Sequence, residues 1–288
     1  MPSRRLFLSC SLILMAFLAG CGPTTDSGTK RRLTIGVVSY GEGQRSLEQF
    51  EGLKNHLGTS LKSLIELEPA LNERQAIQQI ERNSWDLVFA PPGLAALAIS
   101  QEQYLPLLSR TGGTKERSIV VVPDNSPAQS LEDLASKPLA LGQEGSATGY
   151  YLPLYNLYGL TMSEVSLAAT PKGVLQLLDS GSAFAGALSV AELEKYRSEF
   201  SGTKFRVLFR DSHAVPAGSV LVGPTVDRNL QEEIRTALES AGAPVAAAAG
   251  YAANSEPPDY SYLIKVVKRV RPIAERIKEK PAPLYESE

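Results

Sequence analysis

Leu33-Thr34-Ile35-Gly36-Val37-Val38 is a β-rich apolar run that reads as a buried strand, and it opens into the loop Ser39-Tyr40-Gly41-Glu42-Gly43. Working outward, Leu47, Phe50, Leu53 and Leu57 recur at helical spacing, with Gly58 as the stop. Leu61 to Leu67 reads as a second strand, and Ala76, Ile77 and Ile80 mark a polar helix. Asp86-Leu87-Val88-Phe89-Ala90 is a third strand, closed by Pro91-Pro92-Gly93. Strand, helix, strand, helix, strand implies right-handed βαβ units and a mainly parallel sheet, hence an α/β fold. Ligands of such sheets bind beyond the carboxyl ends of the strands. The loops after Val38 and after Ala90 both fall on that edge.

A second α/β run begins near Val121 and ends near Val220. It contains Ser118-Ile119-Val120-Val121-Val122, a short helix opened by Ser130 with Asp133 at the reach-back position, and the strand Leu139-Ala140-Leu141-Gly142. A helix starts at Tyr150, and another carries Val174, Leu175 and Leu178 and stops at Gly181. Ala183 to Leu188, Phe205 to Phe209 and Ser219 to Val222 read as strands. Asp227 then caps a helix bearing Leu230, Ile234 and Leu238. Asp259 to Lys278 is a last helical region, interrupted near Pro272. The chain contains no internal repeat.

Composition sets the limits. The 288 residues amount to about two ordinary domain lengths. Hydrophobic residues make up 43% and charged residues 21%, an ordinary globular balance. Lys and Arg total 29 against 31 Asp and Glu, so there is no basic excess to hold nucleic acid. Two Cys and two His argue against a Cys/His metal site, a disulfide framework and a redox Cys pair, and no cofactor is expected.

At the N-terminus, Arg4 and Arg5 precede the apolar run Leu6 to Leu18. That run is too short to span a bilayer, which takes about 20 residues, and it reads as a signal peptide over residues 1–20. It ends in Leu18-Ala19-Gly20-Cys21. Small residues before a Cys resemble a bacterial lipobox, in which the thiol is acylated and the chain is cut before it. An ordinary A-x-A-type cleavage beside an incidental Cys is the alternative. Residues 21–30, rich in Gly, Pro, Thr and Ser, form a flexible tether. This places the protein outside the cytoplasm, held to the membrane by lipid on Cys21.

The strongest chemical signal is Gly142-Gln143-Glu144-Gly145-Ser146-Ala147-Thr148-Gly149-Tyr150, a strand running through a small-residue turn into a helix. Amide N–H groups at a helix start lack intrahelical acceptors, and the helix dipole adds partial positive charge. With the hydroxyls of Ser146 and Thr148 the turn can cradle an anion without Lys or Arg. Plain N-capping by either hydroxyl is the other reading. No Gly-Lys-Ser/Thr follows, so it is not a P-loop, and Ser146 does not stand in a Gly-x-Ser-x-Gly frame. Tyr40, just past the first strand, can close over a ligand or stand as an ordinary loop residue. His213 reads as structural. His56 suits the C-terminal end of its helix. Lys265, Lys268, Arg269 and Arg271 read as a solvated helix face.

These pieces in this order resemble the periplasmic phosphate/phosphite/phosphonate-binding proteins of ABC transporters. The resemblance runs from about Leu33 to Leu238 and is carried by Ser39-Tyr40 and by Trp85-Asp86-Leu87-Val88-Phe89-Ala90-Pro91-Pro92. Further on it is carried by Ser130 to Ala140, by Ser146-Ala147-Thr148-Gly149-Tyr150 and by Pro153. It implies a type II periplasmic binding protein fold, two lobes with mainly parallel sheets flanked by helices and joined by two hinge crossovers. Lobe one would span 31–118 plus 221–288, with the C-terminal helices returning to it, and lobe two 119–220. It implies a ligand site at Tyr40, Ser146, Thr148, Gly149, Tyr150 and Ser189, a small oxyanion ligand, a permease partner and a monomer. As a divergent member, the chain carries Ala147 where the family has a hydroxyl. Phe184 and Ser189 stand at two of its acidic positions, Pro171-Lys172 near its His, and Leu94-Ala95-Ala96 in place of a Tyr.

The leading function is therefore a lipid-anchored receptor that captures an oxyanion and delivers it to a permease. A binding protein feeding a membrane sensor is the second reading. An extracytoplasmic enzyme is the third, and it is disfavoured because the chain spells no paired carboxylates or nucleophile–base set.

Overall fold

The computed structural model describes residues 31–38, 47–112 and 116–286. Cys21 and Tyr40, with the tether and the first loop, lie outside the described residues. The fold unit begins at Arg32.

The opening run forms β1 (Arg32–Val38), which is buried because it is paired on both sides. It lies parallel to β2 (Leu64–Ala70) and β3 (Leu87–Ala90), with Ile35 beside Leu67 and Leu87. Two-sided pairing and two covered faces are what a continuous apolar run specifies. β11 (Ser219–Val222) and β4 (Leu105–Ser109) complete a five-stranded sheet in the order β2-β1-β3-β11-β4. The second sheet has the order β10-β5-β9-β6-β8. Its strands are β5 (Ser118–Pro123), β6 (Pro138–Leu141), β8 (Glu164–Leu167), β9 (Ala185–Ser189) and β10 (Phe205–Arg210).

Each sheet is mixed. β11 runs against both β3 and β4, and β5 runs against both β9 and β10, while the remaining strands of each sheet share one direction. The reversed strand is in each case the first laid down after the chain changes sheet. A parallel entry needs a long crossover, usually helical, and neither crossing contains a helix among the described residues. These crossings lie between Ser109 and Ser118 and between Arg210 and Ser219. The boundaries expected at 118/119 and 220/221 therefore cut into β5 and β11.

Helices α1 (Glu51–Ser60), α2 (Glu73–Glu81) and α3 (Pro92–Gln101) follow the strands of the first sheet. Gly58 does not stop α1 but lies within it; the turn out is made at Lys62, with φ 49. That displaces β2 by a few residues from its expected start. Pro91-Pro92-Gly93 is not a free loop but the start of α3, with Pro92 at a first-turn position where its missing N–H costs nothing. In the short 3₁₀ turn at Glu132–Leu134, Ser130 does not cap; Asp133 accepts the N–H groups of Gln129 and Ser130. Asp227 caps α7 (Arg228–Glu239) as expected, accepting the Leu230 N–H at 3.0 Å.

One core lies under α1, α7 and α8 (Ala243–Ala249), and a second under α5 (Pro171–Asp179). A third and larger one joins residues of both sheets around α3, α4 (Leu152–Asn156) and the apolar face of α9 (Ser261–Val270). After α9 the chain runs on to β12 (Ala282–Pro283), which pairs with β7 (Thr161–Met162) beside the second sheet. The last strand thus pairs with β7 in a separate two-stranded sheet and not with the first sheet.

Candidate functional site

A cleft of about 670 Å³ opens at the carboxyl edges of both sheets. The first sheet contributes Val38 at the end of β1 and Pro91-Pro92-Gly93 after β3. The second contributes Gly142, Gln143 and Ser146 to Gly149 after β6, Ala169-Thr170-Pro171 after β8, and Ser189 at the start of α6 (Val190–Tyr196). The rule that placed the site beyond strand ends thus locates the cavity.

The turn after β6 is a π-helical turn, Ala147–Tyr151, that continues into α4. Ser146 is its cap, and its Oγ accepts the Gly149 N–H at 3.1 Å. The capping reading of Ser146 is therefore realised. The hydroxyl keeps its own hydrogen for the cleft, because a Ser hydroxyl donates once and accepts twice. The N–H groups of Ala147 and Thr148 belong to the first turn and have no intrahelical acceptor. Thr148 lines the cleft, and its carbonyl accepts the Ser118 hydroxyl at 2.6 Å. Gly149 packs its Cα against Gly142, 3.2 Å from where a Cβ would stand, and its N–H is used by Ser146. Its contribution is closeness of backbone.

Tyr150 does not line the cleft. It is 1% exposed, packed edge-on to Tyr151 in the shared core, and burial pushes its hydroxyl pKa far up. It lies within the π-helical turn and joins the core shared by both sheets. Ser189 lines the cleft but is occupied. Its Oγ accepts the Glu192 N–H at 3.2 Å, and Glu192 Oε2 accepts the Ser189 N–H at 2.7 Å, a reciprocal cap. The spelling Ser189-Val190-Ala191-Glu192 carries this box in the sequence. Phe184 is not among the cleft-lining residues; it packs against the core with the Lys137 ammonium 5.4 Å above its ring.

Sequence reasoning missed the cleft's charge. Glu73, Glu116 and Glu192 line it, with Lys195 as the cation among the described lining residues. Burial holds the Glu192 carboxyl above the usual carboxylate range, and the charge of Glu116 pushes the same way. Helix starts oppose these carboxylates. α3 begins at the cleft with no side-chain cap, and α5 begins there under Thr170, whose Oγ1 accepts the Gly173 N–H at 3.1 Å. Such starts present partial positive charge.

Both histidines serve structure. His56 Nε2 lies 2.8 Å from the Ala237 carbonyl on α7. His213 stacks on Tyr262 at 3.7 Å and sits 3.1 Å from Asp211 Oδ1, a carboxylate that also accepts Asn156 Nδ2 at 2.7 Å. This cluster fixes the second crossing. Of the basic residues near the C-terminus, Arg269 lies over the Tyr158 ring and Arg271 pairs with Glu81. No group of three or more His, Cys, Asp or Glu gathers to hold a metal among the described residues.

The family described as "ABC transporter, phosphonate, periplasmic substrate-binding protein" matches residues 35–260. No curated protein matches the sequence. A Xanthomonas citri protein, solved bound to chloride and bound to ATP, is similar in structure. It is 22% identical with TM-scores of 0.69 and 0.68, and the match covers 83% of this chain and 98% of that one. A Pseudomonas aeruginosa binding protein of an ABC phosphonate transporter is 13% identical over 86% of this chain and 88% of that one, with TM-score 0.61. A Prochlorococcus marinus protein in complex with methylphosphonate is 14% identical over 84% of this chain and 98% of that one, also with TM-score 0.61.

Proposed function

The chain belongs to the periplasmic substrate-binding proteins of ABC phosphonate transporters, and from this we propose that it captures a small oxyanion of the phosphate, phosphite or phosphonate type and hands it to a permease. The family is one of transport receptors, not enzymes. In this reading each sheet with its helices is a lobe, and the lobes hinge about the two crossings to close on the ligand. The protein acts as a monomer held to the membrane through lipid on Cys21.

The observation that carries the ligand class is the turn at Ser146–Thr148. Ser146, Ala147 and Thr148 line a cavity that the uncapped start of α3 also lines, and in this reading their first-turn amides and hydroxyls are the donors. Oxyanions present several acceptors in a small volume, which suits donors grouped in this way. Tyr40 would add a donor from the loop after β1. Gly149 lets the backbone approach closely, and Ser189 orders the far wall through its cap.

Calorimetric titration of phosphate, phosphite, methylphosphonate and sulfate into the mature protein tests this. Binding of at least one, with a smaller radius by small-angle scattering when saturated, supports the reading. If none binds and Ser146→Ala changes nothing, the turn is only a cap and the ligand is of another kind.

A further inference from the structure

The turn that lines the cleft is itself held from the opposite side. Gln143, immediately after β6 and Gly142, accepts the Glu73 N–H through Oε1 at 3.2 Å. That N–H is the first of α2, a group with no acceptor inside its own helix. The Nε2 of Gln143 donates to the carbonyl of Ala169, past the end of β8. One carboxamide therefore ties a helix of the first sheet to two strand ends of the second. Beside it Arg74 Nε lies 3.9 Å from Glu144 Oε2.

Close approach of backbone completes the contact. A Cβ built on Gly93 would stand 2.0 Å from the Gly145 carbonyl oxygen and 2.8 Å from the Ala147 nitrogen. A Cβ on Gly145, whose φ is +103, would meet Glu73 Cβ at 3.1 Å and Ile77 Cδ1 at 3.3 Å. The Gly145–Ala147 backbone is thus wedged between the starts of α2 and α3, in space that only glycine leaves.

We infer that Gln143 is a positioning residue, the latch that holds the Ser146–Thr148 turn against the first sheet's helices, and that Gly93 is the contact that lets the latch engage. Both partners of the latch separate if the two sheets part, so its strength sets how long the cleft stays closed. The inference rests on the proposed hinge between the two sheets.

Hydrogen exchange of the full mature chain, without added anion, is the test. In Gln143→Ala, the amides of Gly93–Ala95 and Gly145–Gly149 should exchange roughly threefold to tenfold faster, the effect of one lost hydrogen bond. Those of β1 and β3 should stay at wild-type rates, which shows the fold intact. Gly93→Ala should accelerate the same amides with Gln143 in place. Alanine favours a helix over glycine, so a loosened contact there comes from the added methyl. Acceleration limited to the Glu73 amide, or none in either variant, overturns the latch. A second arm measures methylphosphonate, whose dissociation should quicken by a similar factor in both variants. If wild-type protein does not bind methylphosphonate while the exchange pattern responds, the latch stands and the ligand reading falls.

Discussion

The Oγ of Ser146 accepts the Gly149 N–H at 3.1 Å while Ser146 also lines the cleft. Under the proposed function this one hydroxyl has a structural and a ligand role, and these separate in energy. Losing a Ser cap costs about 1 kcal/mol of stability. Losing a hydrogen bond to a charged ligand costs about 1.5–3 kcal/mol, roughly tenfold to a hundredfold in affinity. Ser146→Ala should lower both the melting temperature and the affinity. At Thr148 the bond from the Ser118 hydroxyl goes to the backbone carbonyl. Thr148→Ala should therefore weaken an oxyanion similarly with stability nearly unchanged. Calorimetry beside thermal unfolding reads the two effects apart. Unchanged affinity in Thr148→Ala would leave binding to the backbone and the Ser146 hydroxyl.

The pH dependence follows from the carboxylates and not from Phe184. Phe184 at a family acidic position implies poor rejection of the fully ionised anion. Glu73, Glu116 and Glu192 line the cleft from other positions and can supply the repulsion that Phe184 does not. Burial raises the Glu192 pKa, so this group gains its proton earlier than a free glutamate as pH falls. Neutralising it removes a repulsion, and anion affinity should rise on acidification. Sulfate keeps its charge across this range and isolates the protein's contribution. Its dissociation constant should fall roughly severalfold from pH 8 to pH 5, and Glu192→Gln should flatten the profile. Affinity that climbs with pH instead would mean that these carboxylates do not face the anion.

Gly36 lies on the interior strand β1, where a Cβ would stand 2.1 Å from Trp85 Cδ2. Trp85 is fully buried and is the chain's sole Trp, so its fluorescence reports this core directly. Gly36→Ala forces the indole or the strand to move, and overpacking of this kind costs about 1–3 kcal/mol. Urea unfolding followed by Trp fluorescence should show a lower midpoint with an unchanged slope. A wild-type midpoint would mean that the ring relocates freely.

The strands of the fold were legible because burial on both faces imposes composition. Leu33 to Val38 and Leu87 to Ala90 have nowhere polar to point. The amphipathic helices at Ala76-Ile77-Ile80 and Val174-Leu175-Leu178 were legible through their period. Helix α3 was not, because Leu94 to Ala98 is buried all round and shows no polar face, and Pro-Pro-Gly reads as a breaker. At the site, the turn could be read locally, since strand, small residues and helix are contiguous. Tyr150 could not be placed, because the π-helical turn that carries it leaves no period. Glu73, Glu116 and Gln143 come from three separate segments and meet only in the folded chain.

The anchoring proposal turns on Leu18-Ala19-Gly20-Cys21, which lies outside the described residues. A lipobox cysteine receives a diacylglyceryl group on sulfur, and two acyl chains hold a protein stably where one gives only marginal, reversible binding. The next residues, Gly22 to Lys30, are too polar to add affinity, so the lipid alone must supply it. Processing of the wild-type protein should be blocked by globomycin, and the mature protein should partition into the detergent phase. Its N-terminal peptide should carry the mass of the lipid on Cys21. Cys21→Ser should lose that mass and the detergent partitioning together. If instead the wild-type N-terminal peptide is unmodified, or the mature chain starts away from Cys21, cleavage is of the ordinary small-residue kind and the protein moves freely in its compartment.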